Sequence, residues 1–119
     1  MRAWEPTVPI GSQADFDRWL AANGAVEREV IVAIYKLSSG RQTVTLSDLQ
    51  EVALCHGWVD TQTKRIDDDQ YAIRFVVRRL GSNWSQTNRD LARRLLLEGR
   101  ILPAGRATLP PDLDLVEDA

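Results

Sequence analysis

The chain has 119 residues, 44% hydrophobic and 27% charged, which suits one globular domain with a real core and is too short for two. No apolar run reaches the roughly 18 residues of a membrane helix, and no charged-then-apolar leader opens the chain, so neither a span nor a signal peptide is expected. Cys55 and His56 are the only cysteine and histidine, which excludes an internal disulfide, argues against structural zinc and fits a reducing cytoplasm.

The net charge of −2 is unevenly spread. Residues 64–106 carry ten basic and five acidic groups, whereas residues 107–119 carry four acidic groups and no basic one. A basic middle beside an acidic tail raises the question of an anionic partner. Thirteen of the fifteen basic residues are arginine, a bias that genomic base composition alone also produces.

Pro6, Pro9 and Gly11 make the first residues an extended lead-in, with Trp4, Val8 and Ile10 as an edge strand at most. Ser12, three residues before Asp15, caps a first helix that carries Phe16, Trp19 and Leu20 and stops at Asn23-Gly24. Glu29 to Lys36 is β-branched and apolar on both faces, the pattern of a central strand. After the Ser38–Arg41 loop, a second helix starts near Thr45 or Ser47 and ends at Gly57, with Leu49, Val52, Ala53 and His56 at helical spacing.

Trp58–Arg65 and Tyr71–Arg78 read as an antiparallel hairpin turned by Asp67-Asp68-Asp69-Gln70. Tyr71, Ile73, Phe75 and Val77 should face the helices together with Val59. Strand parity then puts Asp60, Gln62 and Lys64 on the polar side, and a five-residue loop sets Asp60 opposite Arg78 and Lys64 opposite Arg74. Ser85 caps a third helix that runs to Glu98, with Leu91, Ala92, Leu95 and Leu96 inward and Arg89, Arg93 and Arg100 as a neighbouring stripe. Pro103 starts one more turn, and Pro110-Pro111 precede the acidic tail. This order predicts an α+β domain: a small, mainly antiparallel sheet with a β-hairpin, packed by about three helices.

Residues Ala53–Asp60 (ALCHGWVD), Lys64–Asp67, Phe75, Arg78-Arg79, Ser82–Ser85 (SNWS) and Asn88 form a series of specific motifs. It continues into Glu98-Gly99-Arg100 and Pro103-Ala104-Gly105. In these motifs the chain resembles the YdeI/OmpD-associated (bacteriocin-protection) family over most of residues 14–109. The resemblance implies a single domain over residues 1–109 and a link to antimicrobial-peptide or envelope-stress tolerance, while composition alone makes 110–119 a flexible acidic tail with little to pack. Thr61 stands where that family often has glycine, and Val77 and Leu80 where it often has proline, changes that let the strands pair more regularly.

The signature implies Asp60, Lys64, Asp67, Arg78, Arg79, Asn83, Trp84 and Asn88 as binding residues, and strand parity adds Arg74. Asp60 would hold an arginine for a carboxylate or phosphate, while the helix start at Ser85 adds unpaired N–H groups and Trp84 a stacking surface. The plainer alternatives are a solvated ion-pair network on the hairpin and ordinary capping chemistry at Ser82–Ser85. The expected function is therefore a non-enzymatic cytoplasmic protein with a basic hairpin–helix groove for an anionic, phosphate-bearing ligand, needing neither cofactor nor metal. Nucleic-acid binding through the arginine stripe and an enzyme using Asp60 are the alternatives; a protein partner is unspecified. Cys55 and His56 point about 100° apart on a helix and do not read as a catalytic pair.

Overall fold

The computed structural model describes residues 4–111 and 113. Most of the expected acidic tail therefore lies outside the described residues. The elements are β1 (Val8–Pro9), α1 (Gln13–Asn23), β2 (Glu29–Tyr35), α2 (Leu46–Cys55), β3 (Trp58–Arg65), β4 (Gln70–Val77), α3 (Gln86–Leu97) and α4 (Pro103–Arg106). They form the α+β arrangement: a four-stranded sheet in the order β1-β2-β4-β3, parallel only at the β1–β2 edge.

Side-chain caps fix the helix starts. The Asp15 N–H donates to Ser12 Oγ at 3.0 Å, and Thr45 and Asp48 close a reciprocal capping box on α2. The Asn88 N–H donates to Ser85 Oγ at 3.1 Å, and α3 ends at Gly99, whose φ of 72° is left-handed.

α1 and α2 cover one face of the sheet. Phe16, Leu20, Leu49, Val52 and Ala53 meet Val30, Val32, Ile34, Ile73 and Phe75 there, with the Phe16 and Phe75 rings 4.9 Å apart. Burying each large apolar side chain contributes roughly 1.5–3 kcal/mol, so this layer dominates stability. A second, smaller core lies on the other side of α2, where Leu54 and Cys55 pack against Ala92, Leu95 and Ile101. α2 is thus the shared middle layer, and α3 is fixed to it further by Glu51, which accepts from Arg94 at 2.9 Å and Arg100 at 3.1 Å.

The hairpin departs from the expected pairing. Trp58, Val59 and Asp60 lie opposite Val77, Val76 and Phe75, whereas Gln62, Thr63 and Lys64 lie opposite Arg74, Ile73 and Ala72. A β-bulge at Thr61 takes up the difference. Asp60 is therefore not opposite Arg78, nor Lys64 opposite Arg74. Paired residues share a face, so Trp58 and Asp60 look toward the helices with Phe75 and Val77. Val59, Gln62 and Lys64 look outward with Val76, Arg74 and Ala72. The physical reason is the burial of Trp58, only 3% exposed: turning its ring inward forces Val59 out, and the bulge restores alternation beyond it. The ladder is thus irregular at Thr61, where the resemblance implied more regular pairing.

Candidate functional site

The nine residues expected at the site fall into four places. Asp67 sits in the hairpin turn, where its carboxylate accepts from the Asp69 and Gln70 N–H groups, both at 2.8 Å. These bonds hold its carboxyl below the usual aspartate range. The turn lies at the far end of an eight-residue strand, about 25 Å from the start of α3, so Asp67 belongs to no common site with Arg78.

Lys64 and Arg74 lie on the outer sheet face, under Trp4. The Arg74 guanidinium carbon is 4.6 Å from the indole centroid and Lys64 Nζ is 5.9 Å from it. Arg74 is only 5% exposed and donates to Glu29 Oε2 at 2.6 Å. This is a packed ion pair between two central strands, so Arg74 serves the sheet rather than a groove. Glu29 and Trp4 were not singled out from sequence. The Glu29 contact was accessible in principle, because an antiparallel β2–β4 pair brings an acidic and a basic residue together on neighbouring strands.

Five of the remaining six residues do converge. A cleft of about 600 Å³ opens between the end of β4, the 78–85 connector and the start of α3, and Arg78, Arg79, Asn83, Trp84 and Asn88 all line it. Ser82 and Ser85 add hydroxyls, and Val59, Val76 and Val77 form the apolar floor. Gly57 is the joint on which the cleft is built. Its carbonyl accepts the Arg78 N–H at 2.8 Å, and its φ of 81° closes α2. A Cβ at this glycine would meet the Ala104 carbonyl oxygen at 2.7 Å, so only glycine lets α4 rest there.

Arg78 is the central group of the cleft. It is 7% exposed, stacks 3.9 Å from the Trp84 centroid and donates to Ser82 Oγ at 3.3 Å. Among the described residues, no carboxylate lies within ion-pairing distance of it. Burial lowers its pKa, and the negative charge of Asp60 opposes that shift. Asp60 itself does not line the cleft; it accepts from Gln50 Nε2 at 3.3 and 3.4 Å on the helix side of β3. Its part is electrostatic support for Arg78 from behind.

The α3 start completes the arrangement. Asn88 N–H is used by the Ser85 cap, but Gln86 and Thr87 N–H groups have no acceptor among the described residues. A desolvated guanidinium, two serine hydroxyls, an amide side chain and the positive end of a 12-residue helix therefore face one space. Such a set can hold a carboxylate or phosphate. Among the described residues, no histidine or carboxylate lines it to supply a general base.

The arginine stripe is largely neutralised. Arg93 donates to Asp90 at 3.3 Å, and Arg100 to Glu51 and Glu98 at 3.1 and 3.2 Å. His56 is occupied with Asp17 at 2.8 Å, and burial pushes the Cys55 thiol up, away from nucleophilic use. No group of side chains able to hold a metal ion occurs among the described residues, and none of their helices is long and apolar enough to cross a membrane.

Comparison with curated proteins and with solved structures gave no match. Residues 8–108, from β1 to just past α4, match a family described as a domain of unknown function (DUF8412), and the chain belongs to that family.

Proposed function

We propose that the protein is a non-enzymatic binding protein that holds a small anionic ligand, through a phosphate or carboxylate group, in the cleft between β4 and α3. The observation that carries this reading is Arg78: a buried guanidinium stacked on Trp84, facing the cleft, with no carboxylate paired to it. A desolvated charge costs several kcal/mol unless compensated, on the order of what one bidentate anion contact restores. The resemblance to the YdeI/OmpD-associated signature supports the same place, because Arg78, Arg79, Asn83, Trp84 and Asn88 are the signature residues that line the cleft. Through that resemblance, the ligand would act in tolerance to antimicrobial peptides or envelope stress, inside the cytoplasm.

A small ligand is favoured over a nucleic-acid strand because Arg93 and Arg100, which would track a phosphate backbone, already carry acidic partners. Calorimetric titration with inorganic phosphate at low ionic strength tests the reading. Saturable binding that Arg78→Met abolishes is the expected result. A flat titration of the folded protein would overturn it.

A further inference from the structure

The cleft that holds Arg78 has a neighbour. A second space of about 400 Å³ shares Ser82, Asn83 and Trp84 with it and continues to Leu80, Leu109, Pro110 and Pro111. Trp84 is therefore shared by two adjoining compartments. On one side its indole carries the guanidinium, the α3 start and two hydroxyls. On the other, leucine and proline side chains stand beside Arg89 and Thr108, with the Asn83 amide and the Ser82 hydroxyl at the shared edge. Proline and leucine walls facing an indole suit a flat ring, which gains stacking and loses little hydration. The two volumes fall within the ordinary range for small-molecule sites.

We propose that the ligand is a nucleoside monophosphate, its phosphate at Arg78 and the α3 start and its base in the slot between Trp84 and the Leu109–Pro111 wall. This rests on the anion reading above and adds the ring. Phosphate and base are joined by a short polar sugar, and the shared Ser82–Asn83 edge lies between the two compartments to receive it. The slot is enclosed by chain that α4 positions, and α4 is held by the Gly57 and Gly105 contacts with α2. A Cβ at Gly105 would meet the Cys55 carbonyl oxygen at 2.4 Å, so the slot is as fixed as the helix packing beneath it.

The test is a calorimetric comparison on the unmodified protein of adenosine 5′-monophosphate, ribose 5-phosphate and adenosine, with indole fluorescence read in parallel. Base stacking on an aromatic side chain predicts that the nucleotide binds roughly ten- to a hundredfold tighter than ribose 5-phosphate. It should also quench tryptophan emission where the sugar phosphate does not. Trp84→Phe should keep the preference, and Trp84→Leu should remove it. Equal affinity for the nucleotide and ribose 5-phosphate on the unmodified protein overturns the ring slot and leaves the anion site standing. Binding of adenosine as tight as that of its monophosphate overturns the anion reading and this inference with it.

Discussion

Two arginines four residues apart, Arg74 and Arg78, are both buried and both stacked on a tryptophan, yet they end in different chemistry. Arg74 lies 4.6 Å from Trp4 and is closed off by Glu29 at 2.6 Å. Arg78 lies 3.9 Å from Trp84 and, among the described residues, has a serine hydroxyl as its hydrogen-bond acceptor; it faces an open cleft. The indole is common to both sites and so does not make either one a binding site. The difference is the carboxylate. In the sheet interior the chain supplies its own anion, and at the end of β4 that position faces solvent-accessible space.

The comparison breaks most visibly in stability. Arg74→Met leaves Glu29 partly buried without its guanidinium and should cost about 3–5 kcal/mol in urea unfolding, whereas Arg78→Met removes an uncompensated cation and should cost under about 1 kcal/mol. Equal losses would make Arg78 a structural residue like Arg74. Next in size is the response to ligand. Phosphate at a hundred times its dissociation constant should add about 2.7 kcal/mol to the unmodified protein and nothing to Arg78→Met, as read from thermal melts with and without phosphate.

Glu51, which accepts from both Arg94 and Arg100, offers a surface contrast to these buried sites. Burial raises its pKa, but the hydrogen bonds from Arg94 and Arg100 outweigh this and hold it below the ordinary 4.5. Its contribution is therefore present above the unfolded pKa and is lost as pH falls through the lower folded value. Glu51→Gln should cost about 1 kcal/mol at pH 7 and flatten stability against pH below about pH 5. A denaturation series from neutral to acid pH checks both. The smallest effect concerns Asp60. If it only supports Arg78 electrostatically, Asp60→Asn should tighten phosphate binding by about threefold, since a competing negative charge is gone. Weaker binding would instead mean that Asp60 orients the guanidinium.

Much of the fold was legible in the residues. Ser12, Thr45 and Ser85 announce their helices because capping is local chemistry, and Asp67 announces its turn for the same reason. The apolar alternation of β4 gave the buried face, since Ile73 and Phe75 must leave water. The pairing of β3 was not legible. It depends on whether Trp58 or Val59 turns inward, a choice settled by the T-shaped Trp19–Trp58 contact across the core rather than by anything within the strand. That is why Asp60, placed on the polar side by parity, lies on the helix side, and Val59 on the outer one. The cleft residues from Arg78 to Asn88 are close in sequence, and so they could be found together. Leu109, Pro110 and Pro111 could not, because only the docking of α4 on α2 brings them to Trp84.

Thr61 gives β3 a change of phase partway along its length. Upstream of it, even-numbered side chains are interior; downstream, even-numbered side chains are exterior. Deleting that one residue would set Asp60 directly before Gln62, opposite Phe75 and Arg74, and leave a regular ladder with Trp58 still interior. A one-residue deletion should therefore be tolerated at Thr61 as well as around Asp68 at the turn, both exposed positions of the same hairpin.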